Sequence, residues 1–293
     1  MSDLDRLIKQ GQELLSRIEA LLPAKPAEVD WNASIAFRWR KASQRGFLQP
    51  VLNLHRVRLS DLQRIDRQKA LVEQNTRQFV EGRTANNVLL TGARGTGKSS
   101  VIKAMLNKFH KQGLRLIEVE KHDLLDLPEI VEQIARRPER FIIFCDDLTF
   151  EAAEPGYLAL KVVLDGSIAA PSDNVLIYAT SNRRHLMPEY MQENQETKHL
   201  GDEIHPGETV EEKISLSERF GLWISFYPFD QDEYLEIVAH WLAELGCAPA
   251  DADGARQEAL QWALQRGSRS GRVAWQFARD YAGRHGKSAK KKE

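Results

Sequence analysis

Cysteine is scarce: the 293 residues contain only Cys145 and Cys247. Two cysteines cannot build a disulfide framework, and Cys145 falls in the most apolar stretch of the chain, so a reducing compartment is expected. Long apolar runs are missing too. Those present, such as Val88–Leu90 and Phe141–Cys145, fall far short of the roughly 20 residues that a membrane-spanning helix needs. The first residues mix charges instead of forming a basic and then apolar leader, so a cytoplasmic protein without a membrane segment is expected. No excess of one charge exists, with 41 basic against 42 acidic residues and a net charge of −1. On its face that balance excludes an obligate nucleic-acid coat or a polybasic membrane binder. With 42% hydrophobic and 28% charged residues, wholesale disorder and fibrous architectures are excluded as well. The length exceeds the roughly 100 to 200 residues of one typical domain, which points to one large α/β domain with an appendage, or to two domains.

Neutrality is a cancellation between segments. Residues 38–83 carry eleven basic against four acidic side chains, or +7; residues 185–215 carry two against eight, or −6; the last ten carry five against one, or +4. The basic segment includes Trp39 and Phe47, a mixture that suits phosphate backbones and base stacking, so a nucleic-acid partner stays open. The lysines at 290–292 read as a solubilising tail.

Apolar residues at Leu4, Ile8, Leu15, Ile18 and Leu22 give helical spacing over 2–22, ending at Ala24-Lys25-Pro26. Residues 30–60 hold Trp31 and Trp39 among arginines without an assignable period. A helical pattern from residue 61 ends near Gly82, and strands then alternate with helices. Expected strands are Asn87–Thr91, Arg115–Val119, Phe141–Cys145, Val175–Thr180 and Leu222–Phe226, with helices starting at Lys98, Pro128 and about Tyr157. Such alternation implies a mostly parallel sheet covered on both faces. The acidic stretch 187–212, with Pro206-Gly207, reads as a mobile loop; its His199, His205, Asp202 and Glu203 have no diagnostic metal-ligand spacing. After Pro228 only helices follow: Asp230 and Glu233 fit a capping box, Gly246 a stop, and two more helices cover 255–265 and 271–282.

The chemistry concentrates at strand ends. Gly92-Ala93-Arg94-Gly95-Thr96-Gly97-Lys98-Ser99 matches G-x-x-x-x-G-K-[ST] between an apolar strand and a helix. Glycines let backbone amides close around phosphate oxygens, and the helix start adds free N–H groups and its dipole, with Ser100 next along. Lys98 would reach the β and γ phosphates of ATP, and the Ser99 hydroxyl would ligate Mg2+. Phe141–Cys145 then ends in Asp146-Asp147, which places Asp146 near the metal and Asp147 towards an attacking water. Asn182, at the end of Tyr178-Ala179-Thr180-Ser181, can hold that water in line, or serve a turn.

These motifs, together with Ser217-Glu218-Arg219-Phe220-Gly221 and Gly271-Arg272, resemble an AAA+ ATPase over roughly 60–283. More narrowly, Asn86–Leu90, 179–186, 215–221 and Arg266–Ala274 resemble a bacterial AAA+ family known mainly as a domain of unknown function. The resemblance implies a five-stranded parallel P-loop sheet sandwiched by helices, with a helical N-terminal extension (1–60), an ATPase domain (61–228), a helical lid (229–284) and a basic tail (285–293). It also implies Lys98 and Ser99 as Walker A ligands, Asp146 as the Walker B metal ligand and Asn182 as sensor one. Arg219 becomes an arginine finger for a neighbouring subunit and Arg272 becomes sensor two, the alternative for both being surface ion pairs. One departure stands out: Asp147 occupies the place of the expected catalytic Glu and is one methylene shorter, with Glu151 in reserve. The implied activity is ATP hydrolysis in a homo-oligomeric ring or arc that remodels or loads a protein or nucleic acid. An ATP-gated switch with little turnover and a P-loop small-molecule kinase are the alternatives.

Overall fold

The structure, a computed structural model, describes residues 11–12, 29–42, 45–54, 57–150, 154–165, 172–182, 198–200, 203–205, 218–247 and 252–285. Outside them lie most of the expected helix over 2–22, Glu151, most of the acidic stretch 187–212 and the tail from 286.

Each of the five expected strands forms: β3 (Val88–Gly92), β4 (Leu114–Glu118), β5 (Arg140–Cys145), β6 (Val175–Ser181) and β9 (Leu222–Phe226). Two more precede them, β1 (Ala36–Ala42) and β2 (Arg45–Pro50), giving a seven-stranded sheet of order β2-β1-β4-β5-β6-β3-β9. Within this sheet, among the described residues, only the β1/β2 pair is antiparallel. The expectation of a helical extension through residue 60 is therefore corrected over 36–50. Alternation decides it: Phe37 and Trp39 turn inward and are fully buried, while Arg38 and Arg40 turn out and pair with Glu118 at 2.6 Å and Glu120 at 2.5 Å. Trp39 Nε1 donates to Asp126 at 2.8 Å, and Gly46 on the facing strand leaves room for its ring, since a Cβ there would lie 1.7 Å from Trp39 Cζ2. The loop reading of 187–212 is corrected over six residues, where β7 (Lys198–Leu200) pairs antiparallel with β8 (Glu203–His205).

The helices of the α/β body are α1 (Asp66–Val80), α2 (Lys98–Phe109), α3 (Leu127–Ile134) and α4 (Pro155–Asp165). The central strands are apolar on both faces because both are covered. Val88, Leu90, Ile142, Phe144 and Tyr178 pack with α1 and α2. Leu89, Phe141, Ile143, Ile177 and Ala179 pack with α3 and α4. Helices α5 (Gln231–Glu244), α6 (Ala252–Gln265) and α7 (Gly271–His285) follow the sheet. The Asp230/Glu233 capping box starts α5, with the Glu233 amide donating to the Asp230 carboxylate at 2.8 Å. Because α5 and α7 share the first core with α1 and α2, the helical unit sits against the P-loop side of the sheet.

Candidate nucleotide-binding site

Strand β3 lies between β6 and β9, and the chain leaves it through α2 for β4, three places across the sheet. The carboxyl ends of β3, β5 and β6 therefore open on one crevice, the switch-point position where parallel α/β sheets bind ligands. It is a cleft of about 600 Å³ lined by Arg94–Ser100, Asp146, Asp147, Thr180, Asn182 and Arg272. The expected Walker A positions from Arg94 onward, with Asp146, Asp147, Asn182 and Arg272, thus meet in one place, whereas the expected arginine finger does not.

The contacts are specific. Lys98 Nζ donates to the Gly92 and Ala93 carbonyls, both at 2.7 Å, and to Asn182 Oδ1 at 3.0 Å. Ser99 Oγ donates to Asp146 Oδ1 at 2.7 Å. The Asn182 amide donates to Asp147 Oδ1, and Arg94 stands 3.8 Å from the other Asp147 oxygen. Asn182 therefore ties the P-loop lysine to the second acid. Burial pulls Lys98 down from 10.5 to about 8; Asp146 and Asp147 oppose that shift, while Arg272 and Arg94 add to it. Burial pushes the Cys145 thiol, one residue before Asp146, up to about 12, so it stays protonated and inert.

Asp147 is one of two described non-glycine residues with positive φ, at 52°. This left-handed turn takes its backbone out of the strand direction beside Asp146, a conformation that Asp tolerates better than most residues.

The C-terminal helical unit docks directly on the P-loop. The Gly271 amide, at the start of α7, donates to the Gly95 carbonyl at 2.9 Å. Gly95 has φ +74°, and a Cβ there would meet Ser270 Oγ at 2.8 Å, so this approach needs glycine. Arg272 follows at the cleft. Residues from before α1 and from the C-terminal helical unit also wall the cleft: Val57, Leu62 and Ile65 on one part, Ile237, Trp241 and Trp275 on the other. The tryptophan rings are 4.5 Å apart at 59°. Arg58 pairs with Glu244 at 2.6 Å and Arg64 pairs with Glu236, holding the segment before α1 along α5. None of these wall residues is marked by a motif; Trp275 alone carried a signal, three residues after Arg272 and hence on the same helix face.

Arg219 is not in this cleft. It lines a separate groove at the opposite end of β3, β5 and β6, where its Nε donates to Asp165 at 2.5 Å. The basic stretch 38–83 is also not a free cationic surface, because eight of its eleven basic residues have carboxylate partners. Among the described residues no group of three His, Cys, Asp or Glu could hold a metal ion. No described helix is long and apolar enough to cross a membrane.

Solved structures share this architecture. The Thermotoga maritima RuvB Holliday junction branch migration motor is 15% identical at a TM-score of 0.50, over 78% of this chain and 66% of that one. A point mutant of the same RuvB gives a TM-score of 0.52 at 15% identity, over 78% and 67%. The FIGL-1 AAA domain in complex with ADP is 19% identical at a TM-score of 0.51, over 78% and 74%. This chain thus spans about two thirds of the RuvB chain's length, and at these identities the likeness establishes the fold, that of AAA+ domains. No curated protein matches the chain. The family model described as "Protein of unknown function (DUF815)" matches residues 32–285, nearly the whole of the described body, and the chain belongs to that family.

Proposed function

We propose that this protein is a Mg2+-dependent ATPase of the AAA+ kind that works between neighbouring copies of itself and couples turnover to a macromolecular client. The observation that carries the reading is the convergence of Lys98, Ser99, Asp146 and Asn182 through contacts of 2.7 to 3.0 Å at three strand ends. Backbone amides of Gly95–Ser99 and the start of α2 cradle the phosphates, and Lys98 contributes its ammonium charge. The apolar wall of Val57, Ile65, Ile237, Trp241 and Trp275 suits a stacked base. Ser99 Oγ and an Asp146 carboxylate oxygen are hard donors in mutual contact, few in number and open to solvent, which fits Mg2+ better than a thiophilic metal. When bound, Mg2+ neutralises charge on the β and γ phosphates. Asn182 positions the attacking water and Asp147 accepts its proton, while Arg272 reports the phosphates to the lid.

Arg219 acts in trans. Its distance from this chain's own cleft supports a role at a neighbour's γ phosphate, with the Asp165 pair exchanged on assembly. A nucleotide-gated switch is the second reading, favoured by Asp147, whose carboxylate already accepts from Asn182 and faces Arg94. Phosphate release over a protein concentration series separates the two. A specific activity that climbs with concentration supports the ATPase; flat, near-zero release alongside tight ATP binding supports the switch.

A further inference from the structure

Thr180 stands two residues before Asn182 in the same run, where the sequence gives it no role of its own, yet it lies between the two acids. It sits near the end of β6 and is 2% exposed. Its Oγ1 donates to Asp146 Oδ1 at 2.5 Å, accepts the Asp147 backbone N–H at 2.9 Å, and its carbonyl accepts the Leu148 N–H at 2.7 Å. The direction of each bond is forced, because an amide only donates and an ionised carboxylate only accepts. One hydroxyl proton goes to Asp146 and one lone pair takes Asp147. No other side chain spans both acids among the described residues.

We infer that Thr180 is a positioning residue that sorts the two adjacent acids, aiming Asp146 at the metal and Asp147 at Asn182. Asp146 Oδ1 receives two donors, Ser99 Oγ and Thr180 Oγ1, so its second oxygen is left to face the metal's ligand shell. Asp147 is pinned through its own amide and that of the next residue, and its φ of 52° lies between those two anchors. The turn brings the carboxylate within reach of the Asn182 amide. The backbone thereby supplies reach that the side chain, one methylene short of the expected Glu, does not have. Partners that hold a metal-binding carboxylate commonly matter about 10- to 100-fold in metal affinity or activity.

This inference rests on the proposed nucleotide site, and the experiment separates the two. Thr180→Val keeps the shape and removes the hydroxyl; Thr180→Ser keeps the hydroxyl. Both are compared with wild type for binding of a fluorescent ATP analogue with Mg2+ and with EDTA, for kcat and KM, and for amide exchange of residues 146–148. In the valine variant, binding in EDTA is expected to match wild type, while the tightening produced by Mg2+ and the kcat both fall about 10- to 100-fold, and KM for Mg-ATP rises with the weaker binding. Amide exchange over 146–148 accelerates. The serine variant restores all three, which a role confined to packing would not predict. A valine variant with wild-type Mg2+ dependence and wild-type exchange overturns the assignment and leaves the nucleotide site standing. A wild type that binds no nucleotide overturns the proposed function, and the assignment with it. A wild type that binds but does not hydrolyse removes only the ATPase reading, and the Mg2+ dependence of binding then decides Thr180.

Discussion

Lys98 ties the electrostatics of the cleft to a measurement. Its side chain is 6% exposed, and burial holds its pKa near 8 in place of 10.5 in spite of two nearby carboxylates. A polyphosphate requires the ammonium form. At about one pH unit above that value roughly one-tenth of the free protein is competent, so the apparent Kd for ATP rises about tenfold between about pH 7 and pH 9. The charge of the polyphosphate is nearly constant over that range, its last pKa being near 6. Lys98→Arg stays cationic throughout and is expected to bind more weakly than wild type at neutral pH but with a flat profile. Stability moves the other way. Between about 8 and 10.5 the unfolded chain holds a proton on Lys98 that the folded protein lacks, so the ligand-free protein gains stability as pH rises through this window, by at most about 3 kcal/mol. Below about 8 the full cost of the buried charge is present, and Lys98→Met removes both the cost and the pH dependence. Equilibrium titration with a fluorescent ATP analogue, paired with urea unfolding at each pH, reads both slopes. A wild-type Kd that stays flat across the range, or an arginine variant that follows the wild-type slope, refutes the reasoning.

Other outcomes follow from the same geometry. Arg219→Ala should leave nucleotide binding intact and lower kcat about 1,000-fold, and mixing it with Lys98→Ala should recover part of the activity, since each partner supplies what the other lacks. Normal hydrolysis by Arg219→Ala alone would sink the trans assignment. Gly46→Ala drives a Cβ to 1.7 Å from the Trp39 ring, and thermal or urea unfolding should show a loss near the upper end of about 1–3 kcal/mol; a wild-type melt would mean that the hairpin does not pack as described. Because Trp241 and Trp275 line the cleft, ATP should change the intrinsic fluorescence, and Trp275→Ala should remove much of that change and weaken binding. An unaltered response in that variant would move the base elsewhere.

Legibility differed sharply between elements. β3, β5 and β6 were readable because each is an apolar run that ends in residues with chemistry of their own: the P-loop, Asp146-Asp147 and Asn182. The hairpin of β1 and β2 was harder, although Phe37-Arg38-Trp39-Arg40 alternates cleanly. Its outward arginines look like a cationic patch until Glu118 and Glu120, from the next strand and the turn beyond it, neutralise them. Part of the apparent cationic excess over 38–83 dissolved for the same reason: Arg38, Arg40, Lys41, Arg58 and Arg64 pair with carboxylates outside the segment, which its composition does not register. The wall of Ile237, Trp241 and Trp275 carried no motif because apolar residues on a helix face read as core whether they meet another helix or line a cleft.

Residue type and spacing by themselves determined the identity of the phosphate loop, the parallel α/β class and the capping box that starts α5, because each is set by neighbours a few positions away. Tertiary structure alone decided how the strand ends face one another. Ser99 meets Asp146 across 47 positions, Thr180 meets Asp146 across 34 and Lys98 meets Asn182 across 84. The left-handed turn at Asp147 is likewise held by a hydroxyl 33 residues away. Hydrogen bonds form only within a few tenths of an ångström of their ideal length, and the packing of the whole sheet sets separations to that tolerance.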